Sequence, residues 1–346
     1  MSAANPQDVS PSRIKLAAVV GFYMTAALVM VFVNKAVLIS TPDLPLTFLF
    51  IQLALAVVLL HLASLVASGF PDSEYARKLE LPSLSWSVSW KLLPVVSVNI
   101  IGLVFNTLCL RDVDASFFQI ARGLLLPLTI AVSFVQTRLP PMRPVVRAAV
   151  LVTAGFFVGA SPASLWSSSR TLPLDVTGLS LFYGCMSSLM IAVHAVLVKS
   201  AHSYVGNSSI KLAYFTNLGS AIALIPVIGL AGEVNTLLER RASAGSQWLT
   251  FAVGSVVTGV FGFFLCMAGL ISIKTTSPVT HMFVSAGRSV IQTILGVIIF
   301  KDIITSNRLF SICIITVGTL YFTWVKSLNS PSAGADVEKQ AGEHHG

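Results

Sequence analysis

Two arginines, Arg122 and Arg288, stand inside apolar stretches 166 residues apart, and an asparagine–lysine pair, Asn34-Lys35, falls near the end of a third. A guanidinium presents a planar fork of donors that matches a phosphate or a carboxylate, and it keeps its charge when desolvated. A charged side chain is costly in hydrocarbon, so it normally faces a bundle interior or a watery cavity. No acidic residue lies in the interior of these stretches. Cations without matching acids describe a site for an anion, and two arginines on opposed helices would neutralise a diphosphate. The competing role for each arginine is to snorkel or to cap carbonyls. For Lys35, at the end of its stretch, it is to snorkel to the interface.

Neutral polar groups in the apolar stretches would supply recognition: Tyr23, Asn99, Asn106, Gln119, Tyr214, Thr216, Asn217, Thr280, His281 and Gln292. Amides carry paired donors and acceptors suited to a base edge or a sugar hydroxyl. Hydrogen bonding between helices competes for the same groups. His61 and His194 are lone bundle residues with no partner visible in the sequence, and Lys274 ends its stretch as an interfacial charge. Nothing points to catalysis. No nucleophile, base and orienting group cluster together, and no Walker-type phosphate loop is present. The four cysteines, Cys109, Cys185, Cys266 and Cys313, all lie in apolar stretches without metal-ligand spacing or a loop pair suited to a disulfide. The expectation is a protein that is not an enzyme and needs neither metal nor cofactor.

The elements that must position these groups are membrane helices. Hydrophobic residues make up 55% of the 346 and charged residues 10%, where a soluble domain carries roughly 25% charged residues. The apolar runs are helix-length rather than alternating barrel strands. Ten are expected, at about 14–38, 44–68, 90–110, 114–136, 145–161, 176–198, 209–231, 247–272, 278–300 and 307–326. The fifth is crowded at its end by Gly155, Gly159 and Pro162. The first run is too long for a secretory leader and is expected to stay as an anchor. With the N-terminus in the cytosol, thirteen Lys and Arg fall on the cytosolic side and six opposite. That is the positive-inside bias, and it places both termini in the cytosol. The net charge of +8 therefore reflects topology rather than a nucleic-acid partner.

The ends, 1–12 and 327–346, read as disordered tails, and 164–174 as a loop joining two five-helix halves, 13–163 and 175–326. The halves echo one another, since the fourth and ninth runs each begin with a polar segment and then carry an arginine. An odd number of spans per half inverts the second relative to the first. The fold class expected is all-α, a polytopic membrane protein of ten transmembrane helices in two inverted five-helix repeats, with the substrate site at their interface.

Several motifs are similar to those of the nucleotide-sugar transporters of the drug/metabolite transporter superfamily, above all the Golgi GDP-fucose transporters. They are Met30 to Lys35, Ala115 to Arg122, Tyr214 to Leu218, Thr276-Ser277-Pro278-Val279-Thr280-His281, and Gln292-Thr293. The resemblance covers nearly everything between the tails. It implies that Tyr214-Phe215-Thr216-Asn217 matches a Phe-Tyr-Asn-Asn motif that contacts guanine in GDP-sugar carriers, so one amide has become a hydroxyl. It also implies that Arg288, within Ser285-Ala286-Gly287-Arg288, takes the place of a lysine that holds the phosphate-sugar end. Tyr23, eleven residues before Asn34, resembles a tyrosine that faces the sugar. Both departures fall on the parts that choose base and sugar.

The function implied is an antiporter of the Golgi membrane, exchanging a cytosolic UDP-sugar such as UDP-xylose for a luminal nucleoside monophosphate. Arg122, Arg288 and Lys35 would attract the phosphates, and Asn34, Gln119, Tyr214 and Thr280 complete the expected substrate-binding set. Thr216 and Asn217 would read the base, and Tyr23 with His281 would line the sugar end. A GDP-fucose/GMP antiporter is the alternative, followed by a sugar-phosphate or small-metabolite exporter of the same fold. The partners expected are the nucleotide sugar, the nucleoside monophosphate and membrane lipid, with a homodimer as a candidate assembly.

Overall fold

The computed structural model describes residues 13–70, 79–161, 178–242, 245–275, 278–302 and 305–328. All the regular structure among them is helical. The helices are α1 (Arg13–Ser40), α2 (Pro45–Ser68), α3 (Trp86–Asp112), α4 (Ala115–Gly123), α5 (Leu125–Thr137) and α6 (Arg143–Ala160). They continue with α7 (Gly178–Ala201), α8 (Ser209–Leu230), α9 (Glu233–Ala242), α10 (Ser246–Thr275), α11 (Pro278–Phe300) and α12 (Ser306–Leu328). Nine spans among the described residues are long and apolar enough to cross a membrane, and the apolar part of α11, Gly287–Phe300, adds a shorter tenth. The outer surface bears side chains that a soluble protein would bury, among them Leu65, Phe157 and Ile298. The expected tail 1–12 and loop 164–174 lie outside the described residues, and α12 runs two residues past the expected start of the second tail.

The fourth span is two helices in line. Pro127 has no N–H to offer the carbonyl of Gly123 and its ring crowds that turn, so the helix breaks at Leu124. At the break the carbonyl of Ala121 accepts from the Leu124 N–H (3.3 Å) and from Ser188 Oγ on α7 (2.8 Å). The fifth span forms despite its glycines, which serve packing. A Cβ at Gly155 would sit 2.9 Å from Ile315 Cγ1, and one at Gly159 would sit 2.7 Å from Ser311 Cβ. Small residues let α6 and α12 approach closely, as they commonly do between membrane helices. The polar helix α9, between the seventh and eighth spans, is an addition to the expected elements.

Helix pairing follows a repeating pattern. The third span packs on the sixth (α3 on α7) as the eighth packs on the first (α10 on α1). The second packs on the eighth (α2 on α10) as the seventh packs on the third (α8 on α3). The second and seventh pack on each other, as do the fourth and ninth and the fifth and tenth. Exchanging each span for its counterpart five places on returns these contacts, and the fourth and ninth spans, which meet, carry the arginines.

Candidate substrate site

Arg122 sits in the last turn of α4, just before the break, and Gln119 one turn earlier on the same face. Opposite them on α11 are Arg288 and Ser289, and all four line one cavity of about 800 Å³. Gln119 Nε2 donates to Ser289 Oγ at 2.6 Å, fastening the two arginine-bearing helices together. Beyond that bond the cationic groups are poorly satisfied. Arg288 Nε is buried with no hydrogen-bond partner. The Arg122 guanidinium makes no hydrogen bond or ion pair among the described residues, and lies 5.6 Å from the Phe118 ring centroid. Its charged or polar surroundings include Arg288 and Tyr23. Two like charges thus face one cavity, and a buried donor left unpaired costs about 1–3 kcal/mol. An anion bound between them would answer both deficits.

From the arginines the cavity runs along one face of α5 (Leu126, Thr129, Ile130, Ser133, Thr137) and the facing side of α12 (Ile312, Ile315, Thr316, Thr319, Phe322). Its far end is bordered by Pro141 and Met142, in and after the α5–α6 turn, and by Lys326. The wall is apolar with hydroxyls set into it at helical spacing. Gly123 leaves room for Ile315 beside it, since a Cβ there would lie 2.8 Å from Ile315 Cδ1.

Other residues singled out by the sequence lie elsewhere. Lys35 is 7% exposed and gives its ammonium to three carbonyls at the C-terminus of α3: Leu110 (2.8 Å), Arg111 (3.1 Å) and Val113 (2.6 Å). Three protons meet three acceptors, and the charge complements the negative end of the helix dipole. The expected phosphate role for Lys35 is therefore replaced by helix capping, and it does not snorkel. Asn34 Oδ1 accepts from Gln52 Nε2 at 2.7 Å, and the same nitrogen donates to Thr258 Oγ1 at 2.6 Å, bridging α1, α2 and α10.

In α8, Thr216 is 8% exposed and turns its hydroxyl onto its own backbone, at the carbonyls of Leu212 (3.0 Å) and Ala213 (3.1 Å). Asn217, half-buried, lies outside the cavity lining. Tyr214 is buried, its hydroxyl 3.5 Å from His61 Nε2, so His61 has the partner that the sequence did not reveal. His194 Nε2 is buried without one. Asn99 bonds to Ser220, Asn106 to Ser187, and Gln292 to the Ala115 carbonyl, each between helices. Thr280 and His281 belong to the first turn of α11, and their side chains fall outside the described residues.

Sequence reasoning missed Ser289, Ser133 and Thr316, since serine and threonine are routine between membrane helices and only their shared cavity marks them. It also missed Glu233. This carboxylate, 5% exposed, accepts from the amides of Leu46 (3.0 Å) and Thr47 (2.7 Å) and from Thr47 Oγ1 (2.7 Å). It caps the N-terminus of α2, whose own N-cap residue, Leu44, has no side-chain acceptor. Its acidic position opening α9 was the available signal.

Comparison with known proteins agrees with a carrier. Residues 14–323 match the profile of the Triose-phosphate Transporter family. The chain is 24% identical over 310 residues to GDP-fucose transporter 1 of Dictyostelium discoideum, spanning 89% of this chain and 80% of that protein. It is 30% identical over 326 residues to an uncharacterized transporter of Schizosaccharomyces pombe, spanning 92% and 77%. It is also 25% identical over 316 residues to UDP-galactose/UDP-glucose transporter 7 of Arabidopsis thaliana, spanning 91% of each.

Proposed function

The chain belongs to the triose-phosphate transporter family, and from that premise we propose that it carries a nucleotide sugar across the Golgi membrane in exchange for a nucleoside monophosphate. The observation that carries this reading is the pair Arg122 and Arg288, facing one cavity of about 800 Å³ with donors unspent. A diphosphate answers two guanidinium groups in charge and geometry. The names of similar proteins, for GDP-fucose and for UDP-galactose and UDP-glucose, support the substrate class and, for the former, the Golgi.

Exchange follows from the same imbalance. An empty carrier must change conformation with two desolvated like charges uncompensated, and a bound anion removes that penalty. Net transfer is then slow and swapping one nucleotide for another is fast. The cavity's far end lies beside Lys326 and the turn holding Arg138, where the basic bias is greatest, so this mouth faces the cytosol. The end that holds Lys35 faces the lumen, and both termini are cytosolic.

A UDP-sugar such as UDP-xylose is the first candidate. Position 216 carries no amide to select guanine, and the Thr216 hydroxyl is occupied by its own helix. GDP-fucose is the second, favoured by the names of several relatives. Thermal unfolding of purified protein with nucleoside mono- and diphosphates and their sugars tests the reading. A ligand at a hundred times its dissociation constant adds about 2.7 kcal/mol of stability, and uridine and guanosine nucleotides should rank above inorganic phosphate and triose phosphate. A ranking with sugar phosphates first would overturn it.

A further inference from the structure

The two halves of the fourth span are packed in opposite ways. In α4, Ala115, Phe117, Phe118, Ile120 and Ala121 are all 2% exposed or less, while none of the thirteen residues of α5 is buried. The cavity holding Arg122 and Arg288 runs along α5 and stops at α4. What stops it is a seam between α4 and α11 about two turns thick. Ala115 lies seven residues, about 10 Å, before Arg122, and Gly296 lies eight residues, about 12 Å, beyond Arg288. Across the seam Gln119 Nε2 donates to Ser289 Oγ at 2.6 Å, and Gln292 Nε2 to the Ala115 carbonyl at 3.5 Å. Beyond them the two backbones close on each other. A Cβ added at Gly296 would lie 3.3 Å from Ala115 Cβ and 2.8 Å from Asp302 Oδ2.

The seam lacks apolar interdigitation. On its other sides α4 is anchored firmly: Phe117 and Phe118 pack with Leu38, Phe48 and Phe251, Ile120 packs with Val152 and Ile312, and Asp114 pairs with Arg308 of α12 at 2.9 Å. Apart from Phe300, stacked on Phe32 of α1 at 5.8 Å, α11 has no such anchor among the described residues. Its Ile294 and Ile298 lie exposed on the outer surface. Small residues and interhelical hydrogen bonds, each of modest worth between membrane helices, part without disturbing a core. We propose that this seam is the gate at the Lys35 end of the carrier, closed in this structure, and that cargo passes when α11 parts from α4. Ala115 and Gly296 form its narrowest contact, and Gln292 fastens it. The proposal rests on the exchange reading above.

A cross-link tests it, in full-length protein reconstituted in vesicles. Ala115→Cys with Gly296→Cys sets two Cβ atoms near the span of a disulfide, about 3.5–4.5 Å. Mild oxidation should slow UMP-for-UMP exchange at least about tenfold, and a reductant should restore it. UMP binding to the cross-linked protein should stay within about twofold, because the other mouth remains open. Each single cysteine variant, oxidised alike, should exchange normally. Exchange that continues with the disulfide formed overturns the proposal. So does a loss of UMP binding along with exchange, which would give the seam to the ligand site or to the fold. Should the pair not fold or not cross-link, Gln292→Leu decides. Loosening the closed gate should raise net UMP efflux about threefold relative to exchange, and an unchanged ratio overturns the proposal. If the unaltered protein exchanges inorganic phosphate but not UMP, the nucleotide-sugar reading fails, and the cross-link is then read on phosphate exchange.

Discussion

Lys35 and Arg288 are both cations in apolar helices, yet their surroundings are opposite. At the Lys35 end, charge is balanced against fixed partners. Lys35 closes the C-terminus of α3, Glu233 closes the N-terminus of α2, Arg308 pairs with Asp114 at 2.9 Å, and Arg240 pairs with Asp43. Two of these are side chains completing helix ends from another helix, a negative group at an N-terminus and a positive one at a C-terminus, as the dipoles require. Inside the spans, Arg122 and Arg288 face a cavity with donors unpaired. The difference teaches that a charge within an apolar run does not by itself mark a binding site. Its hydrogen-bond balance does. A satisfied cation holds the fold, and an unsatisfied one awaits a ligand.

The comparison breaks most visibly at Lys35. Lys35→Met leaves three buried carbonyls without their donor, and should destabilise the protein by about 3 kcal/mol. The fraction that folds should bind UMP within about twofold of the unaltered protein. Denaturation in detergent, paired with binding on the folded fraction, checks this. A stable Lys35→Met protein that has lost its ligand would place Lys35 in the site after all.

A smaller effect is expected at Asp114. Asp114→Asn removes the charge facing Arg308, whose side chain is 7% exposed. The loss should be about 2 kcal/mol, below the range for breaking a fully buried pair because Asp114 is partly solvated. Stability should fall while nucleotide binding is unchanged. A loss of binding without a loss of stability would tie this end to the ligand. Smallest is the effect at Thr216. An amide restored at the position that the resemblance gives to the base should, in Thr216→Asn, shift the UMP-to-GMP affinity ratio about fivefold toward GMP. An unchanged ratio, measured by competition, would remove Thr216 from base reading.

The spans were largely legible because each is a continuous apolar run, and run length fixes crossing. The break in the fourth span was written in Gly123 and Pro127. The role of Lys35 was not legible. It depends on where the C-terminus of α3, 75 residues on, comes to rest, and no local pattern carries that. Thr216 shows the same limit in reverse, since a motif match says which residue stands at a position but not where its hydroxyl turns. Ser133 and Thr316 were invisible because only a shared cavity marks them, and a cavity exists only in three dimensions.

The most direct test is the dissociation constant of UMP for Arg288→Ala, measured beside that variant's unfolding midpoint. Removing one of two cations from a buried anion site should weaken binding by about 3 kcal/mol, somewhat over a hundredfold. The midpoint should hold or rise, because an unpaired buried charge has been removed. Arg288→Ala protein that binds UMP with unaltered affinity, or that loses binding only because it unfolds, would contradict the account.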